Sequence, residues 1–302
     1  MDRIDAMKVF VAALDEGSLA GAGRSPAAVS RAIAFLEAHV GAELLHRTTR
    51  SIKLSEVGER YAAACRRVLT ELEEADILAG GERAAPRGTL ALTAPVISGE
   101  MVLRPVLDAF LDAYPTVSAR LLLLDRSVNL IDEGFDVALR IGNLADSSMM
   151  ASRIGDVRRV VVAAPRYLKQ NPRIEEPGDL AKHQIITMAH LPNSWTFPAV
   201  AGSSVPRNVQ VTPRLVTNSI RGAVASATGG RGVALFFSYQ VAEAVRNGEL
   251  EVVLAGHEPA ALPVHVIVPQ GRLTVPKVRA FMDFAVPRLR SHFARLEKDS
   301  SS

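Results

Sequence analysis

The chain has 302 residues, 48% of them hydrophobic and 22% charged, with a formal net charge of +3. That length supports two or more domains with cores of their own, and that composition excludes a disordered chain. One cysteine excludes an internal disulfide framework and a four-cysteine zinc site, no apolar run approaches a membrane span, and the charged start MDRIDAMKVF lacks a secretory pattern, so the expectation is a soluble cytoplasmic protein with no membrane partner.

Residues 1–16 place Ile4, Met7, Phe10, Val11 and Leu14 at helical spacing. The stretch GSLAGAGRSPAAVSRAIAFLE, residues 17–37, comes next. Its second half predicts a helix over 26–40, with Val29, Ile33, Leu36 and Val40 on one side. Ser25 is its cap, Pro26 its first position and Gly41 its end. Its first half predicts a short supporting helix over Leu19–Gly23. Leu44 and Leu45, then HRTTR, then alternating Ile52 and Leu54 predict a two-stranded wing with its tip at Arg47–Arg50.

Ser55 predicts the cap of a long helix over 56–80, on which Tyr61, Cys65, Val68, Leu72, Ala75 and Ala79 recur at alternating steps of four and three. Such a narrow seam fits a partner helix and so a dimer, and packing on its own domain is the alternative reading. Between Arg24 and Arg67 stand eight Lys/Arg against four Glu, a local net of +4, followed at once by Glu71, Glu73, Glu74 and Asp76. On charge alone, a phosphate-binding face and a solvated charged surface are equal readings. GGERAAPRG, residues 80–88, is a hinge by its Gly and Pro content.

From residue 89 the pattern changes. TLALTAP, a helix carrying Met101 to Leu111, VSARLLLL and FDVALRI predict strands alternating with helices, hence a parallel sheet with helices on its faces. A second block runs VQVTPRLVT, NSIRGAVASATGG, VALFFSY, QVAEAVRNGEL and LEVVL, and the chain closes with VHVIVPQ and a helix over about 275–293 that Pro287 should kink or split. Two α/β lobes joined by crossings near 160–163 and 264–268 follow.

The segments DAMKVFVAALDEGSLAGAG, SPAAVSRAIAFLEAHVGAELLHRTTRSIKLSEVGERY, NLIDEGFDVALRIG and ATGGRGVALF together resemble a LysR-type transcriptional regulator, over essentially the whole chain. The resemblance implies an all-α winged helix-turn-helix, a long dimerising linker helix, and a two-lobed α/β effector-binding domain like a periplasmic binding protein. The expected domains are 1–58 for the head, 59–87 for linker and hinge, and 88–302 for the effector domain, with lobe I at 88–162 and 268–302 and lobe II at 163–267. It further implies promoter DNA and a small-molecule effector as partners, and a homodimer that pairs into a tetramer.

A helix that enters the major groove must present small or polar side chains. Away from Val29, Ile33 and Leu36, the helix from Pro26 carries Ala27, Ser30, Arg31 and Ala34. Small residues allow close approach, Ser30 can donate to a phosphate, and Arg31 can reach a phosphate or a guanine edge. Arg47 and Arg50, beside Thr48 and Thr49, suit a wing that touches the minor groove or backbone. The DNA-contact set is therefore Ser25, Pro26, Ala27, Ala28, Ser30, Arg31, Arg47, Thr48, Thr49 and Arg50. Each arginine taken alone reads equally as a solvated side chain.

The connection in front of Ser25 is about four residues shorter than the family pattern, although a helix-turn-helix needs a turn of that order. Weakened or altered DNA binding is the expectation, and inserting Lys-Leu-Gly-Arg after Arg24 should raise operator affinity. Unchanged affinity would show the short turn to be competent.

For the effector, the strand ends of the two lobes put Pro95, Val96, Ile97, Ser98 and Gly99 at one helix start and Thr217, Asn218 and Ser219 at another, with Arg140 and Ile141 beside them. Two helix N-termini and an arginine suit a small organic acid. Ordinary capping by Ser98 and Ser219 is the competing reading. Dimerisation falls to Tyr61, Cys65, Val68, Leu72 and Ala75. The seven histidines show no ligand spacing, ATGGRG reads as a helix end, and Trp195 reads as core or lobe surface rather than a ligand platform, so no metal, cofactor or catalytic group is expected. The alternative function is a metabolite-binding protein with a DNA-incompetent head, and an enzyme is the least supported reading.

Overall fold

The first elements fold as a small helical head. Helix α1 (Arg3–Asp15) packs on α2 (Pro26–Val40), a hairpin of β1 (Leu45–His46) and β2 (Lys53–Leu54) follows, and α3 (Glu56–Ala79) leads out. The computed structural model describes residues 1–15, 25–46, 53–79, 85–144, 149–199 and 205–299. The short helix expected at Leu19–Gly23, the shortened connection and the wing tip lie outside the described residues. Met7, Phe10, Val29, Ile33, Leu36 and Leu44 bury their side chains together, each such burial stabilising by about 1.5–3 kcal/mol.

Local chemistry sets the ends of these elements. Ser25 is extended and its side chain accepts from Ala28 N, while Gly41 ends α2 at φ 72° and donates to Glu37 O. Ser55 Oγ donates to Glu43 O at 2.6 Å and accepts from Gly58 N at 2.9 Å. A Cβ on Gly58 would lie 1.9 Å from Leu44 O, so only glycine lets α3 start this close to the hairpin. The Glu37 carboxylate accepts from Leu44 N at 2.9 Å and Leu45 N at 3.4 Å, which pins the hairpin to α2.

The seam expected on α3 divides. Cys65 is fully buried against α1 and α2 of its own chain, and Tyr61 packs on the same core with its ring 6.3 Å from that of Phe10. These two residues are corrected to head-core positions. The heptad spacing at Tyr61 and Cys65 serves the contact of α3 with its own head. Val68 and Ala75 are exposed and Leu72 is half-buried.

The remainder forms two lobes. Lobe I carries β3 (Gly88–Ala94), α4 (Val96–Ser98), a π-turn (Gly99–Leu103), α5 (Arg104–Ala113), β4 (Val117–Leu123), β5 (Val137–Ile141) and β6 (Met149–Val157). Lobe II carries β7 (Arg159–Ala163), α6 (Pro165–Gln170), β8 (Ile185–Met188), β9 (Ser194–Phe197), β10 (Arg207–Gln210), β11 (Pro213–Thr217), α7 (Ile220–Thr228), β12 (Val233–Phe237), α8 (Ser238–Arg246) and β13 (Glu251–Val253). The chain returns through β14 (Leu262–Pro269) and ends on α9 (Pro276–Asp299) against lobe I.

The lobe I sheet has the order β4-β3-β5-β14-β6 and the lobe II sheet β11-β8-β12-β7-β13. Neither is purely parallel, because β14 runs antiparallel to β5 and β6, and β7 antiparallel to β12 and β13. The crossings also lie earlier than the sequence suggested. All of β7 pairs within lobe II and all of β14 within lobe I, so the chain crosses at residue 158 and again between 254 and 261. Apolar runs such as RVVVA mark a buried strand without saying which sheet holds it. Helix α9 runs unbroken through Pro287.

Candidate functional site

The head presents one face of α2. Ala27, Ser30, Arg31 and Ala34 are exposed, whereas Val29, Ala32, Ile33 and Leu36 are buried. Arg31 Nε donates to Ala27 O at 3.3 Å, so this guanidinium lies along the helix near its N-terminal turn. Ser25 and Pro26 are exposed at that terminus, and Ala28 is half-buried there. Exposed His46 and Lys53 stand opposite one another on the hairpin, whose tip residues Arg47, Thr48, Thr49 and Arg50 lie outside the described residues. The arrangement gives a helix of small and polar groups beside a basic hairpin, the shape a groove-reading element needs.

The second site is a cavity of about 240 Å³ between the lobes. Lobe I lines it with Pro95, Ile97, Leu124, Asp125, Arg126, Ser127, Arg140 and Ile141, and lobe II with His190, Ile220, Phe237, Tyr239 and Gln240. Larger hollows lie on the outer surface of lobe II around Arg166 and Gly229, but they are more open and lack converging groups from two lobes.

Of the expected residues, Pro95, Ile97, Arg140 and Ile141 line this cavity. Val96 turns its N–H to Asp125 Oδ1 at 3.0 Å. Ser98 is fully buried and donates to Pro95 O, and Gly99 is buried where a Cβ would strike the Leu123 side chain. Thr217, Asn218 and Ser219 do not line it. Ser219 caps α7 by accepting from Gly222 N, and Thr217 Oγ1 accepts from Ser219 N, so the local capping chemistry occupies them. Ile220, one residue on, faces the cavity instead.

Electrostatics single out Arg140. One guanidinium nitrogen donates to Leu139 O at 3.3 Å, and Nη2 is buried with no hydrogen-bond partner. Burial lowers its pKa, with the Glu133 carboxylate opposing. Arg126 makes a two-pronged pair with Glu133, at 2.8 and 2.7 Å, and that hydrogen bonding holds the Glu133 carboxyl below its usual range. Tyr239 closes the lobe II side. Its ring stacks near Phe237, its hydroxyl forms no hydrogen bond of ordinary geometry although Ser98 is near, and burial pushes the phenol up to about 12. Arg221 of α7 and Glu100 of the π-turn pair across the two lobes.

Asp125, Arg126, His190, Phe237, Tyr239 and Gln240 were not singled out by sequence. They come from the loops after β4 and β8 and from the junction of β12 with α8, three places far apart in the chain, and no spacing rule marks them. Trp195 is buried in the lobe II core and ATGGRG carries the end of α7 at Thr228 and its cap Gly229, in line with the expected core or lobe-surface tryptophan and helix end. Among the described residues, no group of three His, Cys, Asp or Glu residues could hold a metal ion, and no helix is long and apolar enough to cross a membrane.

Comparison with known proteins agrees with this layout. The family of bacterial regulatory helix-turn-helix proteins, lysR family, matches residues 4–59, and the LysR substrate binding domain matches residues 83–290. An HTH-type transcriptional regulator of Xanthomonas campestris is 34% identical over 288 residues, covering 93% of this chain and 84% of that protein. An HTH-type transcriptional repressor of Pseudomonas aeruginosa is 31% identical, with 95% and 92% covered. The full-length structure of the Vibrio cholerae virulence activator AphB superposes with a TM-score of 0.65 at 25% identity, covering 95% of this chain and 99% of that one. Similarity that runs from the helical head through both lobes leaves one conclusion, that this chain belongs to the LysR family of bacterial transcriptional regulators.

Proposed function

We propose that this regulator acts in the cytoplasm as a dimer that pairs into a tetramer, holds promoter DNA through α2 and the wing tips, and answers to a small organic anion bound between the lobes. The working units are a head of residues 1–58, a linker of 59–87 and an effector domain of 88–302. The buried, unpartnered Arg140 Nη2 carries the anion reading, because a charged donor left dry costs free energy until an acceptor reaches it. Arg126 beside it adds a second positive group. The cavity, at about 240 Å³, is smaller than common sites of about 300–1,000 Å³, which favours a compact carboxylate. The exposed or half-buried stripe of Val68, Leu72 and Ala75 supports the dimer.

Thermal unfolding with a panel of small organic acids tests the anion. One acid at saturation should raise Tm, and Arg140→Gln should weaken that acid on the order of tenfold or more while leaving the unliganded Tm close to wild type. A panel that moves Tm nowhere, or moves it equally in the variant, contradicts an anion site at Arg140.

A further inference from the structure

The segment 125–134 touches two places at once. At its start Asp125, Arg126 and Ser127 form part of the cleft wall, and Asp125 Oδ1 accepts from Val96 N. At its far end lies a tight turn. Asn129 Oδ1 accepts from Ile131 N and Asp132 N, and Asn129 O accepts from Glu133 N at 3.0 Å. Leu130 and Phe135 bury into lobe I and anchor the turn. The face of that turn meets the linker helix. Asp132 pairs with Arg67 of α3 at 3.9 Å, and a Cβ on Gly134, at φ 69°, would stand 3.7 Å from Arg66 Cβ. Arg66 in turn pairs with Asp15, the last residue of α1, at 2.6 Å.

The two ends of the segment are tied by one ion pair. Arg126, in the cleft wall, grips Glu133, which sits between Asp132 and Gly134 in the turn on α3. Arg126 is the more exposed partner, so a ligand in the cleft can reach it.

We propose that segment 125–134 couples the cleft to the DNA-binding head, with the Arg126–Glu133 pair as the coupling element. A ligand that takes Arg126 as its partner releases Glu133, the turn relaxes, and the hold of Asp132 and Gly134 on α3 changes. The identity of that ligand rests on the anionic reading of the cleft, whereas the mechanical link does not. The head feels the change because Arg66 ties α3 to the end of α1, and α1 packs on α2. Coupling of this kind is reciprocal, so a change at α3 must reach the cleft wall as well.

Hydrogen exchange on the full chain tests the link without any ligand. Glu133→Gln and Arg126→Gln should each speed exchange of the α3 amides over 63–70 by on the order of fivefold, and Arg67→Gln should speed exchange over 125–128 to a similar extent. Arg104→Gln breaks an exposed pair with Asp108 on α5 and should move neither region. If α3 stays unmoved in Glu133→Gln and Arg126→Gln, or the cleft wall stays unmoved in Arg67→Gln, the coupling is overturned. Benzoate, added to the wild type in a thermal shift, probes the anion site separately. No shift with the exchange pattern intact counts against the anionic cleft and leaves the coupling standing. A shift with α3 exchange unmoved sinks the coupling and leaves the cleft.

Discussion

Single residues show how differently a site and its scaffold can be read. Ser25 before Pro26 is a cap legible in the sequence, because capping is local chemistry and the chain supplies every partner within three residues. Arg140 was legible too, as a charge at the end of FDVALRI, and the unpartnered state of its buried Nη2 is what the fold adds. Tyr239 and Arg126 were not, since their importance comes from facing Arg140 across space. Gly58 is a further case. Nothing in EVGER marks it, yet its missing Cβ makes room for Leu44 O. Gly58→Ala should cost about 1–3 kcal/mol or more of stability, read as a fall in Tm, since the clash is with backbone that cannot rotate aside. An unchanged Tm would show that α3 can start elsewhere.

Elements were legible where their periodicity served one surface. The bounds of α2 match the expected span, because cap, proline, apolar side and terminal glycine all agree. The seam of α3 follows the alternative reading at Tyr61 and Cys65, which pack on their own head, because a period of three and four fits an intrachain contact as well as a partner helix. The division makes opposite predictions. Cys65→Ser should destabilise the head by about 1–3 kcal/mol through a buried hydroxyl, seen in thermal unfolding with the dimer otherwise retained. Leu72→Asp should leave the fold in place and weaken the dimer on the order of tenfold or more, seen in sedimentation. Reversed effects would restore Cys65 to the dimer seam.

Within lobe II, α6 is joined to the residues just before β8 by a buried pair in which Tyr167 Oη and His183 Nδ1 lie 3.2 Å apart, while Gln184 N donates to the same hydroxyl. Burial lowers the His183 pKa, as it does for His265 and His292. The unfolded chain therefore takes up protons near about pH 6.5 that the native chain refuses. Stability is unaffected above that pH and falls as pH drops below it, until the native imidazoles titrate. His183→Gln should make the Tm of the chain less sensitive to acid between pH 6.5 and 5.5. An identical acid slope would remove His183 from this account.

At the scale of the molecule, two α/β lobes and a helical head were legible because strand and helix periods alternate and then repeat. The paths between lobes were not, since β7 and β14 are apolar strands that either sheet accepts, and only pairing assigns them. The cleft wall was legible on the lobe I side alone, where Pro95, Ile97, Arg140 and Ile141 line it. The connection before Ser25 lies outside the described residues; being about four residues shorter than the family pattern, it should give DNA binding below that of a variant lengthened there.

The most direct test of the regulator reading is binding to DNA from just upstream of this protein's own gene, by fluorescence anisotropy across a salt series. Binding should lie well above that to random DNA and fall steeply as salt rises, because the contacts release counterions from phosphates. Binding no better than to random DNA at every salt would contradict it, and would leave a metabolite-binding protein with a disabled head.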